Sequence, residues 1–407
     1  MAEKYLLKCL TCGQSLKDDY NLSCGSHQET PSFLRTEYSE KKFTPTGQNG
    51  LFKYSNWLPV ENSIKTDSGP ITYKSSGLAK TLGLKNLYIG FSGYWPEKKA
   101  RTLTCSFKES EAFPTLLRAR ERGIRSLTLA STGSTGRAFA YAASIMDFPV
   151  TIVVPKSGLH RIWTTEKPSK NVRLICLGNG DYYDAIELAK KIGKEEGINN
   201  EGGAKNVARR DGMGTVMLDG AVKIGKIPDH YFQAIGSGTG AIAAWEACLR
   251  LIEDGNWGDR LPRLQLSQNL PFAPMHHAWK DNRREIIEEK DMPEARKLIK
   301  QMYTDILSNR LPSYSITGGI YDAMKDCSGN IFGITNDEAK EAKTLFESSE
   351  GIDILPAAAV AVASLVKAAR SKEIKEEEII LLNITGGGEK RLREDYKVRE
   401  LEPSKSV

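Results

Sequence analysis

The sequence predicts an α/β protein with two Rossmann-like halves and mostly parallel sheets. Two observations predict it: from about residue 120 short β-prone apolar runs alternate with amphipathic helical stretches, and the junctions between them are rich in Gly, Ser and Thr. At 407 residues the chain has room for two or three domains of roughly 100–200 residues each. Apolar residues make up 40% and charged residues 27%, and no run approaches the roughly 18 apolar residues of a membrane span, so no membrane partner is expected. The net charge of +6 suits small anions. It is not gathered into the basic stripe of a nucleic-acid binder, so nucleic acid is not expected as a partner either.

The elements follow in order. Near the start, Cys9-Leu-Thr-Cys12 is followed after eleven residues by Cys24-Gly-Ser-His27. Two tight turns of this spacing can offer three thiolates and an imidazole to a structural zinc; a vestigial ribbon without metal, or plain thiols, would use the same residues. Cys105, Cys176, Cys248 and Cys327 are scattered singly, so thiols are expected rather than a disulfide framework. Met1 to Lys8 holds no apolar run of signal-peptide length, which makes a cytoplasmic location the expectation. The first βαβ series then runs through a strand at Ser126–Ala130, a small-residue loop, a helix through Tyr141, strands at Val150–Val154 and Val172–Cys176, and an amphipathic helix at Tyr182–Glu195. The second has a strand at Tyr231–Ile235, a glycine turn, a helix at Ala241–Glu253 and a strand at Arg263–Ser267. A capped helix at Asn336, an Ala/Val-rich helix at Pro356–Ala369 and a strand at Ile379–Asn383 complete it. The charged tail from Glu389 is expected at the surface.

Four segments carry candidate chemistry. Gly236, Ser237, Gly238, Thr239 and Gly240 lie between a strand and a helix, where free backbone N–H groups and the positive helix end can cradle a phosphate. The letters also satisfy G-x-G-x-x-A. A dinucleotide site, however, wants a carboxylate at the end of the next strand, which here reads Leu266-Ser267-Gln268. Lys108, in Thr104-Cys-Ser-Phe-Lys108, has small and apolar neighbours, and desolvation favours the neutral amine that attacks a carbonyl. Ser131, Thr132, Gly133, Ser134 and Thr135 form a hydroxyl-rich loop able to hold a carboxylate or a ring oxygen. Thr385, followed by three glycines, places a hydroxyl at the C-terminal end of a strand, where open α/β sheets bind ligands.

Taken together, this order of lysine, hydroxyl loop, phosphate loop and Thr-Gly-Gly resembles the fold-type II pyridoxal-phosphate enzymes, the tryptophan synthase β-like fold, over roughly residues 40–400. The threonine synthase branch is most similar, through Ser106-Phe-Lys108, Asp211-Gly-Met-Gly-Thr215, Gly351-Ile-Asp-Ile-Leu-Pro-Ala-Ala358 and the N-terminal cysteines. The resemblance implies a knuckle at 1–35, a large cofactor domain from 36–112 and 203–407, and a small substrate-side domain at 113–202. It implies that Lys108 holds the cofactor covalently, that Gly236 to Gly240 bind its phosphate, and that the Thr385 hydroxyl faces its pyridine nitrogen. Homo-oligomerisation is implied as well.

The sequence departs from threonine synthases in Glu109-Ser110-Glu111, where Asp-Arg-Gly is usual, and in Ser134, where an asparagine usually meets the cofactor's ring hydroxyl. That combination looks like the cysteate synthases of methanogens, which use O-phosphoserine and sulfite on the route to coenzyme M; threonine synthesis from phosphohomoserine is the alternative, and a noncatalytic ligand-binding module of the same fold another. The substrate carboxylate is then expected on Ser131, Thr132, Gly133 and Thr135. Among Arg137, Arg161, Arg209 and Arg210, Arg137 is the first choice for the substrate phosphate. His276-His277 is read as a helix start or core contact rather than a metal pair, and Trp163 and Trp245 as packing.

Overall fold

In the computed structural model, residues 3–26 and 31–406 are described. Both predicted series form. A six-stranded sheet has the order Asn330–Ile334, Arg263–Asn269, His230–Ala234, Ile379–Ile384, Asn86–Phe91, Ile71–Lys74, parallel throughout except for the last strand. Its strands are apolar at successive residues because both faces are covered. Tyr231 and Leu381 face the helices Val207–Ile224 and Thr239–Asp254, while Phe232, Ile380 and Leu382 pack with the helix Pro356–Arg370 on the other face. The strand Asn86–Phe91, beside Ile379–Ile384, was not among the predicted elements.

The smaller sheet has the order Asn199–Asn200, Leu127–Ala130, Val150–Pro155, Val172–Leu177, Lys405–Ser406, all parallel. Its central strand, Val-Thr-Ile-Val-Val-Pro, is buried along its whole length. The helix Tyr182–Glu196 that covers this sheet starts at a capping box: Asp181 accepts from the N–H of Tyr183 and Asp184, and Asp184 accepts from the N–H of Asp181. The helix Asn336–Glu350 has the same device one residue earlier than predicted, with Thr335 as the cap and Glu338 as its reciprocal partner.

The charged tail is not a free surface segment. It forms the helix Glu389–Asp395, buries Leu392 and Leu401, and ends as the edge strand of the smaller sheet. Composition predicted exposure because the charges outnumber the two leucines; the leucines decide where the backbone lies.

At the N-terminus, Tyr5–Cys9 pairs antiparallel with Ser15–Leu16 and Leu34–Tyr38. This small sheet is clamped to the large one through Asp211, which accepts from Thr36 Oγ1 and Tyr38 Oη, both at 2.6 Å, and from Arg250 Nη2 at 2.9 Å. No helix among the described residues is long and apolar enough to cross a membrane.

Candidate functional site

The site lies between the C-terminal ends of the two sheets. Lys108 opens the helix Lys108–Glu121, and the turn before it is pinned to the end of the large sheet, because the Phe107 N–H donates to the Thr385 carbonyl at 3.0 Å. The lysine therefore enters a cavity of about 780 Å³, mouth included, whose walls include Ser131, Thr132, Ser134, Thr135, the Gly236–Gly240 loop and Thr385. That volume is within the range of small-molecule sites, about 300–1,000 Å³.

Burial pulls the Lys108 ammonium down to about 8, against the opposing pull of the Glu111 carboxylate 3.7 Å away. Glu111 comes from the next turn of the same helix. It is fully buried and shares a charged chain with Arg209, whose Nη2 lies 2.9 Å from Glu111 Oε1 and whose Nη1 donates to Glu201 Oε2 at 2.7 Å. The lysine thus sits at the end of an alternating row of buried charges, in which the carboxylates offset Arg209.

On the facing wall, the N–H groups of Gly236, Ser237, Gly238 and Gly240 find no acceptor among the described residues, and they lead into the 16-residue helix Thr239–Asp254. The loop has no room for a side chain at Gly240, where a Cβ would stand 2.7 Å from Gln233 Nε2 and 2.9 Å from Phe107 Cε2. Free donors, a helix N-terminus and a tight backbone together make a cradle for a phosphate-sized anion.

The third wall is the hydroxyl loop. Ser131 Oγ accepts from the N–H of Gly133 at 2.9 Å and of Gly136 at 2.7 Å, so this hydroxyl shapes the loop. Thr132, Ser134 and Thr135 face the cavity, whereas Gly133 lies behind the loop against the Arg161 side chain and is not part of the wall.

The four candidate arginines separate. Arg210 is fully buried, bonded to Glu246 and to the Ala204 and Leu34 carbonyls, and holds the N-terminal sheet in place. Arg161 pairs with Asp305, and Arg209 with two glutamates. Arg137 opens instead onto a second cavity beside the first.

Other expectations resolve equally plainly. Asp211-Gly-Met-Gly-Thr215 lies inside a helix, away from the cavity. At Gly212 a Cβ would stand 2.1 Å from the Ser110 carbonyl oxygen, so the motif lets the Val207–Ile224 helix press against the one that begins with Lys108. His276 and His277 reach different backbone carbonyls, of Ile331 and Asp291. Trp245 is held by Asp326, but Trp163 lines the second cavity under Arg137. The sulfur atoms of Cys9, Cys12 and Cys24 lie within 4.8 Å of one another, an arrangement able to supply three ligands to zinc; His27 lies outside the described residues.

Sequence reasoning assigned no role to Glu111, Glu201 or Tyr182. Glu111 had a local signal, three residues after Lys108 on one helical face. Glu201 and Tyr182 had none, since they come from other elements.

Residues 75–386 match the family described as pyridoxal-phosphate dependent enzymes. Cysteate synthase of Methanosarcina mazei is 55% identical over 405 residues, covering 99% of this chain and 97% of that protein, and cysteate synthase of Methanosarcina acetivorans is 54% identical with the same coverage. Among solved structures, maize serine racemase superposes with a TM-score of 0.57 at 13% identity, over 80% of this chain and 91% of that one, a likeness of fold alone. With the lysine, the phosphate-sized cradle and near-full-length identity all pointing the same way, the chain belongs to the pyridoxal-phosphate dependent enzymes and, within them, to the cysteate synthases.

Proposed function

We propose that the chain replaces the phosphate of O-phospho-L-serine with sulfite, releasing L-cysteate and phosphate, as a step towards coenzyme M. The observation that carries this reading is the desolvated Lys108 amine in one cavity with a phosphate-sized cradle of backbone N–H groups, in a chain 55% identical to a cysteate synthase.

The residues present fit pyridoxal phosphate. The unpaired N–H groups of Gly236, Ser237, Gly238 and Gly240, with the Ser237 and Thr239 hydroxyls, would hold its phosphate; Thr385 would meet its ring nitrogen, Ser134 its ring hydroxyl and Lys108 its aldehyde. When bound, the cofactor supplies a conjugated electron sink that acidifies the α-carbon of an amino acid and loosens a group on the β-carbon. Lys108 Nζ takes the proton from Cα, and its lowered basicity keeps the amine neutral enough to do so. The Cβ–O bond breaks with its electron pair leaving on phosphate, the sulfur lone pair of sulfite forms the Cβ–S bond, and Lys108 returns the proton to Cα. Nothing is oxidised or reduced. Thr132 and Thr135 place the substrate carboxylate, while Ser131 keeps their loop in shape. A neutral hydroxyl at Thr385 does not hold the ring nitrogen protonated, and that favours expulsion of a β-group over slower carbanion chemistry.

Two supporting roles belong to the same reading. Cys9, Cys12 and Cys24 would supply three thiolates to a structural zinc; burial pushes the Cys9 thiol up, but hydrogen bonds from the Cys12 backbone and the Ser32 hydroxyl outweigh it and favour the thiolate. Residues 113–202 form the substrate-side domain and 36–112 with 203–407 the cofactor domain, the tail from Lys405 crossing to the edge of the smaller sheet, in a cytoplasmic homo-oligomer.

The deciding assay follows phosphate release. Phosphoserine with sulfite should give phosphate and cysteate together, and phosphohomoserine should give neither phosphate nor threonine. Phosphate released only from phosphohomoserine overturns the reading in favour of threonine synthesis.

A further inference from the structure

The second cavity encloses about 710 Å³ with its mouth and shares Ser134, Ile306, Leu355 and Ala357 with the first. Its inner wall carries Arg137, from the first turns of the helix Ser134–Met146. The side chain is 4% exposed, and the guanidinium carbon lies 4.1 Å from the centroid of the Trp163 ring. Stacking holds the plane still and leaves its N–H edge for other groups.

That edge is unused. Arg137 Nε has no partner, and among the described residues no hydrogen bond reaches the guanidinium; the nearest carboxylate oxygen, Glu389 Oε2, is 3.8 Å from Nη1. The other oxygen of Glu389 is taken by Arg393 at 2.8 Å. Thr304 Oγ1, buried and also without a partner, lines the same cavity. The neighbouring cation is committed, because Arg161 pairs with Asp305 and donates to the Thr132 carbonyl at 3.0 Å. Burial of a charge whose only carboxylate stands 3.8 Å off and accepts no hydrogen bond from it is costly, so a guanidinium kept in this state is matched to a ligand that arrives from outside, and a planar fork of N–H donors matches two oxygens of an oxyanion.

We propose that this second cavity is an oxyanion subsite, in which Arg137 and Thr304 receive the phosphate group departing from the first substrate and then the sulfite that takes its place on the same carbon. The inference rests on the β-replacement reading above and deepens it. One subsite serves both anions in turn, because two like charges side by side on one cation repel each other and because the Cβ–O electrons must leave with phosphate before the sulfur lone pair closes the Cβ–S bond. Product phosphate therefore competes with sulfite.

Phosphorus NMR on the holoenzyme tests this with inorganic phosphate as the probe and no amino acid present. In the wild type the phosphate line should broaden and sharpen again as sulfite is added. Arg137→Met should weaken the binding by about tenfold or more, and Thr304→Val by less. Steady-state kinetics should show phosphate competing with sulfite, with the KM for sulfite raised in Arg137→Met. Equal broadening in the wild type and both variants, or inhibition by phosphate that excess sulfite does not relieve, overturns the subsite. If the wild type makes no cysteate, the β-replacement reading fails on its own, while the phosphate line still decides whether Arg137 and Thr304 bind an oxyanion.

Discussion

Two buried arginines stand near the Ser131–Thr135 loop, and the fold treats them in opposite ways. Arg209 lies between Glu111 and Glu201, within 2.9 Å of one and 2.7 Å of the other, whereas Arg137 has a tryptophan beneath it and no hydrogen-bonded acceptor among the described residues. Both are cationic and nearly inaccessible. The difference teaches that burial and charge alone do not mark a binding group; what marks it is whether the fold has already spent its donors. Arg209 belongs to the frame that sets the charge around Lys108, and Arg137 is left for something the chain itself does not contain.

The comparison breaks entirely if Lys108 is not the group the frame serves. Lys108→Ala should lower activity by about 10³-fold or more, and borohydride reduction should then leave no pyridoxyl label at that position, read by mass spectrometry.

The next largest effect contrasts the two arginines directly. Arg209→Met strands Glu111 and Glu201 in the interior and should destabilise the protein by roughly 3–5 kcal/mol in urea unfolding, while Arg137→Met removes only a loose 3.8 Å pair with the part-exposed Glu389 and should stay within about 1 kcal/mol of the wild type. Equal losses would erase the distinction.

Glu111 sharpens it further through pH. Only the neutral Lys108 amine attacks an aldehyde, so uptake of pyridoxal phosphate by the cofactor-free protein should speed up with rising pH and level off above about 8. The Glu111 carboxylate raises the lysine's affinity for its proton, so Glu111→Gln should move that limb to lower pH, by about one pH unit, measured from the growth of the cofactor's absorption band. A limb that stays in place would mean that Glu111 does not act on Lys108.

The smallest effect concerns the third arginine. Arg161 and Asp305 are 25% and 32% exposed, so Arg161→Met should cost about 1 kcal/mol or less in the same unfolding experiment.

Much of this frame was legible in the residue order. The strand Val150–Pro155 and the helix Tyr182–Glu196 lie within two residues of where their periodicity puts them, because an apolar run bounded by turns, and an amphipathic run behind a capping box, are local signals. Lys108, the Gly236–Gly240 loop and Thr385 were legible for a related reason: each stands at a strand or helix end, and both sheets deliver those ends to one cavity. Gly212 was visible as part of a motif but not for what it does, since nothing near it in sequence reveals the Ser110 carbonyl that its missing Cβ admits. The tail shows the same limit, because its charges are local facts and the burial of Leu392 and Leu401 is not.

Residue order by itself determined the α/β architecture and singled out Lys108 and the Gly236–Gly240 loop, which the fold brings to one cavity, since each is marked by spacing within a few turns of chain. The tertiary structure alone decided which arginine is closely paired with carboxylates and which has no hydrogen-bonded acceptor among the described residues, and that Trp163 backs the latter. Ion pairing and stacking depend on distances between side chains carried on different elements. Glu111 meets Arg209 from another helix, and Trp163 meets Arg137 across the strand Val150–Pro155 and the turn after it, so only packing could bring them together.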